Sequence, residues 1–336
     1  MAALLLAAAV PAAPLAQTVQ PRLPRDVFDV IPPSDRISGR KGSFRVHQPA
    51  CRVGPIGPHT RRRIVDIAAQ EWGVFGFQTL DTISTEARML PSVEGLRIVP
   101  DALNPEISTP RLARRTLRLG RWEDDDPVLA TVAGYWSATP DGAAVLAKQN
   151  RFWRSWMGED SIGWVEPWSA AFVSWVMCEA GLGERETFRR SIAHWEYVDQ
   201  AIEAIDDPAS RSAYVARDYG EAEIHPGDLL CNSRGAAVYQ SIADRRPHMG
   251  VFAPLHCDVV VKVDAAQSAI FVIGGNVLNS VSLSALRAEA MGAGLSPAPE
   301  ARIAGARRWF VHLQLRTEAI ESNALDASPT IRALKP

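Results

Sequence analysis

The sequence predicts an α+β fold, a helical N-terminal half packed on a C-terminal antiparallel sheet. Two observations carry this expectation. Apolar residues recur at helical spacing up to about Ile205, and the chain then breaks into short β-branched or aromatic runs bounded by Gly, Pro, Asp or Asn. No fixed-period repeat is visible, so a solenoid or propeller is not expected.

The elements follow in chain order. MAALLLAAAVPAAPLAQ is an apolar run followed by small residues, the pattern of a secretory signal over 1–16 and hence of a periplasmic or secreted protein. No Lys or Arg precedes Arg22, so the basic n-region is missing. Either the start codon is misplaced or the signal is atypical, and the alternative, a cytoplasmic protein, requires the run to be a spurious start. The run is too short to cross a bilayer as a mature helix, so no stable transmembrane segment is expected. Residues 17–60 are rich in Pro and Arg and read as an extended, solvated leader or linker.

Order is expected from about Arg62, because Ile64, Ile67, Ala68, Trp72 and Phe75 share one helical face in RRRIVDIAAQEWGVFGF. Residues 78–126 alternate weakly, hold several prolines and end in the acidic run Glu123-Asp124-Asp125-Asp126, so they read as irregular. Helices are predicted at about Pro127 to Ser137 and Asp141 to Trp156. In PWSAAFVSWVMCEAGLG, Pro167 suits a helix start, the apolar run continues to Leu182, and Gly181 and Gly183 supply the stop, giving a buried helix. Another helix is expected from Ser191, as N-cap, to about Ile205. HPGDLLCN, DVVVKVD, AIFVIGG, SVSLSAL and RWFVHLQL then read as strands. The folded domain is thus expected over 61–316, followed by a tail over 317–336.

Composition bounds the function. With 47% hydrophobic and 22% charged residues among 336, the chain builds a large core and is not disordered throughout. A formal charge of -2 provides no global field for nucleic acid, so no nucleic-acid partner is expected. Cys51, Cys178, Cys231 and Cys257 form no CxxC pair, which excludes a zinc ribbon and a thioredoxin-like motif. One or two disulfides are open to them in an oxidising compartment, with pairing unspecified. His47, His59, His225 and His312 lack partners at metal-ligand spacing, and Asp258 near His256 does not complete a zinc site. No metal and no other cofactor is expected, and the sequence sets no oligomeric state.

PWSAAFVSWVMCEAGL, PGDLLC, HCDVVV and IGGNVLNSVSLSAL, in that order, resemble the core of the NlpC-type and CHAP-type cell-wall hydrolases, bacterial members of the papain-like peptidase clan. The closer likeness is to the bacterial domain-of-unknown-function family 2272, over roughly Arg62 to Leu315. The resemblance implies a papain-like domain with a nucleophile at the start of the buried helix, a histidine opening the next major strand and a polar third residue on a following strand. Those positions are Ser169, His256 and Asn276.

Physical chemistry gives the same residues a role. A helix N-terminus carries partial positive charge and free N–H groups, which stabilise a nucleophilic anion or an oxyanion. His256 would serve as base to Ser169, and Asn276 would hold the ring in one tautomer. The hydrolases carry cysteine where this chain carries Ser169. A thiol beside histidine is readily held as thiolate, whereas a hydroxyl stays neutral until attack, so a site shaped for the first need not run the second. Cys178 lies nine residues along the same helix and faces away, and Cys257 points to the opposite side of its strand from His256. Core thiols or disulfide halves are the expected roles.

Trp164, Glu166, Trp168, His194 and His248 are candidates for contacting substrate. Glu166 precedes Ser169 by three residues and would meet an amino group, a solvated carboxylate being the default. Trp164 and Trp168 flank the buried helix, and at least one of its tryptophans belongs to the core. His194, beside Trp195 and Tyr197, would line a sugar or peptide groove, with core or capping use as the alternative. His248, in RPHMGVF, competes with His256 for the base position, but only His256 leads directly into the strand that precedes Asn276. Asp228 in PGDLL is expected to bond nearby backbone. Gly274 and Gly275 are expected where two backbones approach closely.

Two functions compete: a peptidoglycan amidase or peptidase using Ser169, His256 and Asn276, or a catalytically inactive papain-like module that binds cell-wall fragments, a peptide-like ligand or a partner protein. A cytosolic acyl- or amide-processing enzyme is the third possibility.

Overall fold

The computed structural model describes residues 20–47, 50–81, 120–155, 163–235, 238–299, 301 and 309–334. The signal over 1–16 lies outside them, as does most of the stretch expected to be irregular.

A two-stranded ribbon, β1 (Ile37–Ser38) with β2 (Arg45–Val46), precedes helix α1 (Pro58–Val74). Helix α1 starts four residues ahead of Arg62 because Gly57 caps it and Pro58, with φ already helical, occupies its first position. After β3 (Thr79–Asp81) come α2 (Asp126–Tyr135), α3 (Gly142–Ser155), α4 (Ser169–Glu179) and α5 (Trp195–Asp206). All eleven residues of α4 are buried, the physical reason its sequence is an unbroken apolar run. Helix α5 begins later than expected. The Ser191 carbonyl is taken by the Ser174 hydroxyl at 3.0 Å, which holds Ser191 in a turn and leaves His194 at the cap position.

The second half supplies β4 (Tyr214–Arg217), β5 (Leu229–Ser233), the short helix α6 (Ile242–Arg245), β6 (Leu255–Asp264), β7 (Ala269–Val277), β8 (Ser280–Met291), β9 (Gly294–Pro297) and β10 (Trp309–Leu315). They form one sheet in the order β3-β8-β7-β6-β5-β10-β4, with β9 folded back on β8. Every pairing along it is antiparallel except β3 with β8. The expected α+β class is therefore present. Strands β4 and β9, four residues each, carry too little pattern to announce themselves.

Both faces of the sheet are covered. Ile64, Phe172, Val176, Cys257 and Val259 join the larger core on the helical side, and Leu230, Val260, Ile270 and Leu286 form a smaller core on the other. The leader is not a solvated linker over residues 20–47. Phe28, Val30, Ile37 and Phe44 are buried, Arg22 pairs with Glu71 at 2.7 Å, and Arg36 pairs with buried Glu179. Arginines that read as solvated in sequence thus serve as anchors to two buried carboxylates. A disulfide from Cys51 to Cys178 in α4 ties down the adjoining segment. The C-terminal tail also docks: Arg62 donates to the Ala324 carbonyl at 3.1 Å, Lys262 pairs with Asp326 at 2.9 Å, and Ser328 caps helix α7 (Pro329–Arg332).

Candidate functional site at the start of helix α4

Ser169 is the first residue of α4, buried, and its Oγ lies 2.7 Å from Nε2 of His194. The far nitrogen of that ring decides what the contact is. The Cys257 backbone N–H donates to His194 Nδ1 at 3.2 Å, and the Tyr197 hydroxyl donates to the same atom. A backbone N–H can only donate, so Nδ1 is the acceptor nitrogen and the proton sits on Nε2. Nε2–H therefore donates to Ser169 Oγ. Burial, reinforced by neighbouring His256 and Arg234, holds His194 well below the ordinary histidine pKa and keeps the ring neutral. Burial likewise raises Tyr197 well above the ordinary phenol value, so its hydroxyl remains a donor.

His256 is not the partner of Ser169. Side chains alternate along β6: Cys257 and Val259 enter the helical core, whereas Val260 enters the opposite one, and His256 and Asp258 share its face. The neighbouring strand confirms the alternation. A Cβ on Gly275 would meet Phe172 of α4 at 2.5 Å, while one on Gly274 would meet Asp258 Oδ1 at 1.7 Å. These glycines make room for two side chains, not for a second backbone. His256 Nε2 bonds Asp258 Oδ1 at 3.0 Å, with its ring centroid 5.1 Å from that of His194. Asn276 does not hold the ring. It lies at the irregularity between Gly274 and Val277, with φ of 56°, and its side chain makes no hydrogen bond among the described residues. Asn232, paired with His256 across β5 and β6, is fully buried, and both of its side-chain polar atoms lack a partner among the described residues.

The family model described as an uncharacterized protein conserved in bacteria (DUF2272) matches residues 123–315, more than half of the chain. The chain belongs to this family. No curated protein and no solved structure matches it.

The first residue of the DUF2272 match, Glu123, is one that sequence reasoning passed over. Its Oε1 accepts from the Trp164 N–H at 3.2 Å, and its Oε2 from Trp168 Nε1 at 2.6 Å, immediately before Ser169. Burial pushes this carboxyl up to about 7 against the pull of those donors. Nothing in the acidic run marks which of its four members is buried. Tyr197 and Asp258 were also missed as partners, though each stands within three residues of a histidine already singled out.

The remaining candidates of this DUF2272 chain are scattered. Trp168 is fully buried between the rings of Phe75 and Tyr135, and Trp164 is half-buried with Nε1 on the Glu123 carbonyl at 3.3 Å. Glu166 pairs with Lys148 at the surface. His248 is exposed and bonds the Asp244 carbonyl at 3.2 Å. Asp228 exceeds its expected local role: it gathers Arg61, His312 and the Leu315 N–H into one buried network. The Cys231–Cys257 disulfide crosses β5 and β6 beside His256. Among the described residues no group of three or more His, Cys, Asp or Glu is placed to hold a metal ion, and no helix is long and apolar enough to cross a membrane.

Proposed function

We propose that this DUF2272 protein is an exported papain-like module, related to the NlpC-type and CHAP-type hydrolases, that binds cell-wall peptide without cleaving it. The ordered motifs from PWSAAFVSW to IGGNV support the kinship, and two disulfides suit an oxidising compartment. One observation carries the absence of cleavage: the Cys257 N–H on His194 Nδ1. Ser169 then accepts a hydrogen bond from the imidazole that would have to remove its proton. In a serine protease, holding the histidine in the wrong tautomer lowers turnover by about 10⁴.

Purified protein incubated with peptidoglycan is expected to release no soluble fragment above a Ser169→Ala control, and Ser169→Ala is expected to sediment with the wall as the wild type does. Release by the wild type above that control would establish the opposite reading, a Ser169 hydrolase, which the 2.7 Å Ser169–His194 contact favours. Imidazole ¹⁵N shifts report the tautomer directly, and a proton on His194 Nδ1 would remove the argument.

A further inference from the structure

The start of α4 is closed, since Ser169 and His194 are both buried, so a binding module must present its ligand elsewhere. We propose, on the reading above, that the wall peptide is held in a groove between the 184–190 loop, α5 and the 207–211 turn, through its own carboxylate and ammonium groups. The groove measures about 340 Å³, the scale of a small-ligand site. Among the described residues its lining holds no aromatic or branched aliphatic side chain, which is wrong for a lipid or a flat apolar ligand. Arg185, Arg189 and Arg211 stand against Glu186, Glu203 and Asp207 there, so both signs of charge are presented together. A polyanion would be repelled by half of this surface. A peptide with free carboxylates and a free ammonium group meets a partner at each end.

The guanidinium groups differ in availability. Arg189 is engaged with Glu203 at 2.8 Å and 3.4 Å. Arg185 is 62% exposed and among the described residues reaches only Glu196, at 3.9 Å, while Arg211, 63% exposed, donates to Glu184 at the surface. Arg185 is thus the group free to turn toward a ligand carboxylate in a two-pronged hydrogen bond, and Arg211 would exchange the surface carboxylate of Glu184 for that of the ligand. The wall that carries Arg185 is fixed beforehand. Gln200 of α5, itself buried, accepts from the Arg189 N–H at 2.6 Å and donates to the carbonyls of Arg185 and Glu186 at 2.9 Å and 3.0 Å. A prearranged loop spares the ordering cost of binding.

The test is calorimetric titration of the full chain with a soluble wall-derived tripeptide bearing free carboxylates and a free ammonium group, and with its carboxamide counterpart. Arg185→Glu and Arg211→Glu are each expected to weaken the tripeptide by about tenfold or more, the loss of a charge-assisted contact, while Arg25→Glu, outside the groove lining, leaves it unchanged. The carboxamide should bind the wild type as weakly as the tripeptide binds the variants. Circular dichroism checks that the variants are folded. Tripeptide binding that survives both groove substitutions overturns this site and leaves the binding function standing. Failure of the wild type to bind either the tripeptide or intact wall overturns the function as well.

Discussion

Asp228 and Asp258 each accept a hydrogen bond from a histidine within the same sheet, yet their surroundings have opposite characters. Asp228 Oδ1 takes Arg61 at 2.6 Å and the Leu315 N–H at 2.9 Å, and its Oδ2 takes His312 at 2.8 Å and the His225 N–H at 2.9 Å. Among the described residues only the outer nitrogen of His312 is left over in this network. Asp258 has one partner, His256, and around it Asp258 Oδ2, His256 Nδ1 and both polar atoms of Asn232 lie buried without one among the described residues. The first network joins α1 to β5 and β10. The contrast teaches that a buried His–Asp pair is not in itself a mark of catalysis: one of these two is a structural joint, and neither touches Ser169.

The contrast breaks if the two aspartates are worth the same. Asp228→Ala leaves the Arg61 guanidinium buried and unpaired, so it is expected to destabilise the fold by about 3–5 kcal/mol in urea unfolding. Asp258→Ala strands a single N–H and should cost about 1–3 kcal/mol. Equal losses would mean that the second cluster is tied into the fold as firmly as the first.

The pH dependence of stability sharpens the same point through a third carboxyl. Burial disfavours the charge on Asp228, but His312, Arg61 and the Leu315 N–H hold its pKa below the usual 3.8. Its contribution is therefore present above that value and lost as pH falls through the lower folded one. Glu123 meets N–H donors and no guanidinium, so burial prevails and its pKa rises from 4.5 to about 7. The folded state then holds the Glu123 proton more tightly than the unfolded chain. Stability from this group is greatest below 4.5 and declines by about 3 kcal/mol as pH rises to about 7. Thermal midpoints of wild type and Glu123→Gln between pH 5 and 8 check this, and a wild type no more pH-sensitive than the variant would refute it.

The smallest effect is expected at Asn232. Asn232→Leu removes two buried polar atoms that bond nothing described, so the change should stay within about 1 kcal/mol of the wild type in either direction. A loss as large as that of Asp258→Ala would show that Asn232 has a partner of its own.

Much of the fold was legible because helical and strand periods are local. The α4 run, the Pro167 signal and the β5 to β8 strands could be read from neighbours in sequence. The leader was misread because four apolar residues spread over 28–44 show no period, although each is seated in a pocket of the core. Glu123 was hidden among three acidic neighbours.

What the sequence determined by itself is the α+β division, the place of Ser169 at a helix start and the identity of the polar residues near it. Tertiary structure alone decided which imidazole meets Ser169. The two-residue period of β6 sends Cys257 toward the helices and His256 away, while the turn before α5 delivers His194 from 25 residues beyond Ser169. Cysteine pairing was settled in the same way, by strand register across β5 and β6 and by the leader crossing α4. Local patterns specify elements. The meeting of side chains depends on how those elements pack, and no local pattern carries that information.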